Sequence, residues 1–156
     1  MAAVAAGEKT AVSNRRARKD YDIIDTYEAG LVLMGTEVKA LRAGNANLKD
    51  SYAALKNNEL WLHNLYIGPY PPAGPHGQHE PERVRKLLLN RNEIDRLIGK
   101  VIEKGLTLVP LRIYFKTGRA KLELAVARGR KQHDKREIKK KEATDREIVQ
   151  ALRRRR

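Results

Sequence analysis

The chain has 156 residues, carries a formal net charge of +14 and contains no cysteine. That length suits one ordinary domain with extensions. The missing cysteine excludes a disulfide framework and a thiolate metal site, and no apolar run approaches the roughly 20 residues that span a bilayer. The charge is uneven. Residues 129–156 hold twelve Lys/Arg against five Asp/Glu, residues 1–19 hold five against one, and the segment between is nearly balanced. A balanced body with two basic arms points to a polyanionic partner.

Residues 1–13 offer little to a core and are expected to form a disordered arm. Met1 to Gly7 lacks a basic n-region and does not read as a secretory signal. A soluble, cytoplasmic protein is the expectation. After Asp20, "YDIIDTYEAGLVL" mixes β-branched and aromatic residues with carboxylates and predicts a strand bending at Gly30. "GTEVKALRAG" predicts a short helix, with Thr36 as cap, Glu37 in the first turn, Val38 and Leu41 on one face and Gly44 at the end. "DSYAALKNNELWLHNLYI" predicts a hairpin turning at Asn57-Asn58, with Tyr52, Ala54, Leu60 and Leu62 alternating around it. The stretch 68–82 holds five prolines and three glycines and predicts an exposed loop.

"LLLNRNEIDRLIGKVIEKG" carries the clearest helical pattern. Asn90 or Asn92 can cap it, Ile94, Leu97, Ile98, Val101 and Ile102 form a stripe, and Gly105 ends it. "LTLVPLRIYF" and "AKLELAVA" flank the turn "KTGR" as a second hairpin, with Pro110 predicted at an edge or a bulge. Five or six short strands with one amphipathic and one short helix predict a mainly β fold, an OB-like small antiparallel barrel, with a β-sandwich as the alternative.

Catalytic signals are thin. His76 and His79 lie near Glu80 and Glu82, but the spacing matches no strong zinc motif and reads as a solvated loop. No nucleophile elbow, phosphate loop or paired-carboxylate pattern stands out, so no enzyme, metal or cofactor is expected. Nucleic-acid binding has more support. "NRRARKDY" packs Arg15, Arg16, Arg18 and Lys19 between Asn14 and Tyr21. Guanidinium groups pair bidentately with phosphate, and an asparagine can bond a base edge. "EVKALR" places Glu37, Lys39 and Arg42 on the short helix, where exposure is expected. "RVRKLLLN" sets cations, Lys86 among them, beside leucines at a loop-to-helix junction, where Leu88 and Leu89 read equally as contact or core. With aromatics at 5%, shape and phosphate recognition of a folded RNA fits better than an aromatic platform for single strands.

Taken in order, "NRRAR-DY", "EAGLVLMGTEVKALRAG-AN--DSY", "RKLLLN" and "GRKQHDKR" resemble the SsrA-binding protein (small protein B) family over residues 14–136. The resemblance implies an OB-like RNA-binding barrel with two or three helices over 14–128. It also implies binding to the tRNA-like domain of transfer-messenger RNA, and its delivery to stalled ribosomes for rescue and tagging of the nascent chain. Elongation factor Tu would be met indirectly, through the RNA. Carried over residue by residue, Asn14, Glu28 and Leu88 match the family's RNA contacts. Arg15, Arg16, Arg18, Tyr21, Lys39, Arg42, Lys86, Arg130 and Lys131 join the expected RNA-binding set. His133, Asp134, Lys135 and Arg136 match the family's decoding-centre element.

The tail 129–156 would lie in the empty mRNA path. Ile148, Val149 and Leu152 are its helix candidates, with Ile148 and Leu152 sharing a face at i,i+4. Nucleation is costly and Lys139–Lys141 and Arg153–Arg156 repel, so the tail is expected to be disordered when free and helical on the ribosome. Two other classes remain open at this level: a structural ribosomal protein, and a non-specific binder of DNA or a membrane surface.

Overall fold

The computed structural model describes residues 8–129. The expectations for residues 1–7 and for the tail from Arg130 onward lie outside them. In chain order the elements are β1 (Glu8–Ser13), α1 (Arg15–Asp20), β2 (Tyr21–Leu31), α2 (Gly35–Arg42), β3 (Ala46–Asn47), β4 (Tyr52–Lys56), β5 (Glu59–His63), β6 (Tyr66–Ile67), β7 (Arg85–Leu88), α3 (Arg91–Lys104), β8 (Thr107–Lys116) and β9 (Arg119–Gly129). The fold is therefore mainly β with three helices. Seven strands form one antiparallel sheet in the order β1-β8-β4-β5-β7-β2-β9, with an additional β8–β9 pairing; β3 and β6 pair separately.

The turns follow their residues. Asn57 and Asn58 have φ of 54° and 61°, the left-handed pair that a two-residue hairpin turn requires. Thr117 and Gly118 close the β8–β9 hairpin in the same way, with φ of 51° and 79°. The register of that hairpin slips between Pro110 and Arg112. The bulge sits at the proline because proline has no N–H for the ladder.

Three local expectations change. The arm drawn over 1–13 is a strand from Glu8 to Ser13, paired along β8 from Lys116 to Arg112. Its hydrogen bonds come from the far end of the chain, so local composition could not show it. The cations of "RRARKD" form a helix that six residues could not sustain alone. "RKLL" is a strand, not a helix junction. Its alternation puts Arg85 and Leu87 inward and Leu88 outward, 51% exposed.

The main core takes Leu31, Leu60, Leu62, Leu87, Leu108, Ile113, Leu122 and Leu124 from the sheet, and Leu41, Ile94 and Leu97 from α2 and α3. Each such side chain contributes about 1.5–3 kcal/mol by burial. Asn90 begins α3, with Glu93 accepting from the Asn90 amide at 3.2 Å, and Gly105 ends it at φ 64°. Ile102 runs off the apolar stripe and is 72% exposed.

A fully buried ion pair sits inside this frame. Glu37 and Arg85 both have no exposed side-chain surface, with Arg85 Nη2 2.6 Å from Glu37 Oε2. Glu37 also accepts from Arg83 at 2.6 Å and from the Met34 amide at 2.7 Å. Arg85 donates to the carbonyls of Leu65 (2.6 Å) and Pro81 (3.1 Å). The exposure expected for Glu37 is thus replaced by complete burial. The helix start is Met34 rather than Thr36, because Glu37 turns back to the Met34 amide.

Burial alone would raise the Glu37 carboxyl. The bonds from Arg83, the Met34 amide and Arg85 outweigh it and hold the group below its ordinary 4.5. A depressed carboxyl contributes stability that is complete above its unfolded value and lost as pH falls through the folded one. Arg85→Ala should therefore cost about 3–5 kcal/mol at pH 7, read as a lower urea midpoint, because Glu37 is left buried without its partner. The stability gap between the native protein and Glu37→Gln should shrink between pH 7 and pH 3. A gap independent of pH would show that the Glu37 charge does not support the fold.

Candidate nucleic-acid interface

The first basic cluster is α1. Asn14 is 93% buried by its 7% exposure. Its Oδ1 accepts from the Ala17 amide at 3.1 Å, its Nδ2 donates to the Pro110 carbonyl at 3.0 Å, and its own amide donates to Leu111 O at 2.7 Å. The side chain expected to meet a base is instead the helix cap, and it ties α1 to the β8 bulge. Ala17, Tyr21 and Ile23 pack against Val109, Leu111, Ala125 and Ala127 on the outside of the sheet. With its one apolar residue turned down, α1 presents Arg15, Arg16 and Lys19 to solvent. Arg16 approaches Asp20 at 3.8 Å and Arg18 reaches Glu123 at 3.4 Å.

Beside α1 runs a network of charges. Glu28 and Glu123 are cross-strand neighbours, an arrangement that repels unless each is neutralised. Glu28 accepts from the Tyr114 hydroxyl at 2.5 Å and pairs with Lys116 at 3.4 Å. The Tyr114 bond holds the Glu28 carboxyl below its ordinary value. Burial, with the Glu28 carboxylate, pushes the Tyr114 phenol well above its own. Glu123 is held by Arg112 at 3.2 Å, and Arg112 also reaches Glu8 and Thr10 at 3.2 Å. The Arg112 guanidinium lies 4.0 Å from the Tyr114 ring centre.

The second basic cluster is α2. Lys39 and Arg42 are one turn apart and exposed. Arg42 lies 4.2 Å over the Phe115 ring and Lys39 5.6 Å from that of Tyr70. The aromatic face orients the guanidinium, whose Nη2 also donates to the Gly118 carbonyl at 3.4 Å. A pocket of about 300 Å³ opens next to it, lined by Lys9, Thr10, Leu41, Arg42, Gly44 and Phe115. On β7, Lys86 pairs with Glu59 at 2.6 Å, and Leu88 stands opposite Gly30 with its side chain outward.

The histidine loop is largely exposed as expected, His76 included, and His79 departs from that. His79 is buried, with Nε2 donating to the Ile67 carbonyl and Nδ1 bonded to the Thr36 hydroxyl, both at 2.8 Å. It fastens the loop to α2 and β6. Among the described residues no three His, Asp or Glu side chains could hold a metal ion, and no helix is long and apolar enough to cross a membrane. Arg130, Lys131, His133, Asp134, Lys135, Arg136, Ile148, Val149 and Leu152 lie outside the described residues.

A family model described as SmpB protein matches residues 11–154. The chain belongs to the SmpB family. It is 59% identical to the SsrA-binding protein of Desulforudis audaxviator, over 94% of this chain and 95% of that relative. It is 62% identical to the SsrA-binding protein of a Parafrankia species, over 83% and 82%. In three dimensions it is similar to a solved chain described under "tmRNA-SmpB: a journey to the center of the bacterial ribosome". That likeness has a TM-score of 0.64 at 55% identity, and covers 76% of this chain and 82% of the other.

Two groups of residues in this SmpB-family chain have structural roles that the sequence motifs do not mark. Arg112, Tyr114 and Lys116 gather only through the pairing of β8 with β1 and β9, and no local pattern marks them. Arg83 and Arg85 did leave a signal, since "RVRKLL" alternates with period two; reading it as a strand puts both arginines and Leu87 on one face.

Two substitutions separate cap, core and surface. Asn14→Ala should lower stability by about 1–2 kcal/mol through loss of the cap, seen in thermal melts. Leu88→Asp should stay within about 0.5 kcal/mol of the native protein, whereas Leu87→Asp should fail to give a cooperative transition. A melted Leu88→Asp protein would make Leu88 core.

Proposed function

We propose that this SmpB-family chain is an RNA-binding adaptor of trans-translation. It binds the tRNA-like domain of transfer-messenger RNA and delivers it to stalled ribosomes, for rescue and for tagging of the nascent chain. The observation that carries this reading is the pairing of high identity to SsrA-binding proteins with two exposed cation clusters on short helices, α1 and α2, on a nearly neutral body. The β8–β9 pairing brings the two ends of the run β8-β4-β5-β7-β2-β9 together, which supports reading the body, residues 14–128, as an OB-like barrel. β1 is added at its side, along β8.

In this reading Arg15, Arg16, Arg18, Lys19, Lys39, Arg42 and Lys86 meet phosphates. Leu88 offers an apolar contact, and Asn14 acts by holding α1 in place. Tyr21 and Glu28 shape the surface between the clusters. Arg130 and Lys131 extend the basic surface into the tail. His133, Asp134, Lys135 and Arg136 take the decoding centre, and the rest of the tail, with Ile148, Val149 and Leu152, follows the mRNA path. Elongation factor Tu is met through the RNA alone. The protein works in the cytoplasm as a carrier rather than a catalyst.

Two measurements test this. If about five of these cations replace counterions, log K for the tRNA-like RNA should fall with log salt at a slope of about −3.5 to −4.5; a nearly flat line would reduce the clusters to solubility devices. Truncation after Lys131 should leave that affinity within about twofold, because the phosphate contacts lie in the body, and should abolish tagging of stalled chains. Normal tagging would remove the decoding-centre role, and loss of RNA binding would put the tail in the first site.

A further inference from the structure

A sheet that covers a core on one face usually turns polar side chains to water on the other. The outer face formed by β4, β5, β7 and the end of β2 departs from that pattern in part, with rings and aliphatic side chains among its charges. Inward, these strands place Ala53, Leu60, Leu62 and Leu87 in the core. Outward, the alternate positions include Tyr52, Trp61, His63, Lys86, Leu88 and, just past β2, Val32, with the charged Lys56 and Glu59 at the hairpin end.

The register joins them into one surface. Tyr52 stands opposite His63 and Trp61 opposite Lys86. The Val32 amide donates to the Lys86 carbonyl at 3.1 Å, and Leu88 faces Gly30. Tyr52 is 44% exposed, Val32 42% and Leu88 51%. The Tyr52 and His63 rings are parallel within 7°, with centres 5.0 Å apart.

We propose that this face is a stacking platform for unpaired nucleobases of the tRNA-like RNA. The inference rests on the adaptor reading above and extends it from phosphates to bases. Three observations favour bases over a protein partner. The exposed rings come as an aligned pair rather than as an interlocking apolar ridge, and every base has a π-face to lay on them. The cation at the centre, Lys86, is held by Glu59 in a surface pair at 2.6 Å with both side chains more than a third exposed. Such a pair is weak enough to be exchanged for a phosphate. The platform is also continuous with Lys86 and Leu88, already placed in the RNA interface. Aromatics are only 5% of the chain, but the fold collects two of them with a histidine on one patch.

The chain has a single tryptophan, and Trp61 lies on this face, so it reports directly. Titrating the full chain with the tRNA-like RNA fragment should quench Trp61 emission, with saturation at the same concentration as binding. Tyr52→Leu keeps apolar bulk on the strand and removes the ring. It should weaken binding on the order of tenfold or more with the salt slope unchanged, because a stack releases no counterions. Lys39→Ala should instead flatten the slope by about 0.7–0.9. His63→Leu provides a second ring-deleted protein should Tyr52→Leu melt early.

If the native chain binds the RNA with unchanged Trp61 emission, or if the ring-deleted protein that folds binds at native affinity, the platform is overturned and the adaptor reading stands. Native RNA affinity with lost tagging would assign the face to a ribosomal partner and also overturn it. A native chain that binds no RNA would sink the adaptor reading itself.

Discussion

The buried Arg85–Glu37 pair sets the geometry that the rest of the surface depends on. Two charges without any exposed side-chain area are tolerated only when every donor and acceptor is met. Here the partners come from four places: α2 through Glu37, β7 through Arg85, the segment before α2 through Met34, and the carbonyls of Leu65 and Pro81. Shifting any one leaves a charge or a carbonyl unmatched. The pair therefore fixes α2 against β7. Lys39 and Arg42 on one element, and Lys86 and Leu88 on the other, are presented from a single rigid unit. His79 adds a neutral clasp on the same region by joining the loop to Thr36 and Ile67.

Pairing decides the electric field more than composition does. Five strand carboxylates hold a cation: Glu8 and Glu123 hold Arg112, Glu28 holds Lys116, Asp25 holds Lys100 and Glu59 holds Lys86. Among the described residues, Arg15, Lys19, Lys39 and Arg42 enter no ion pair. Cations elsewhere on the body, such as Lys49, Lys56, Arg96 and Lys121, also enter no ion pair, so the two short helices hold part of the uncompensated charge and present it as two clusters. Clustered, exposed cations without a carboxylate partner favour a phosphate backbone.

Much of the architecture was legible because it follows from local chemistry. The Asn57-Asn58 turn, the Thr117-Gly118 turn, the Gly105 end of α3 and the Pro110 bulge each rest on a backbone preference of the residue itself. β1, β3 and β7 carry weak local signals and gain their hydrogen bonds from distant partners. Glu37 and Asn14 mark the same limit in the site. Both are polar residues in basic surroundings, where solvent exposure is the ordinary expectation, and both are buried because partners 48 and 96 residues away complete their hydrogen bonds.

The sequence by itself determined the mainly β class, the two hairpins, the amphipathic helix, the basic ends and the motifs that resemble SsrA-binding proteins. These depend on period, turn chemistry and charge count, which are properties of neighbouring residues. Only the tertiary structure decided that Leu87 is core while Leu88 faces out, that Asn14 is a cap, that Glu37 is buried between two arginines, and that Tyr52, Trp61 and His63 share one face. Each of those outcomes depends on register. A strand's side chains point to opposite faces in turn, so which residue meets water is settled by the partner it pairs with across the sheet.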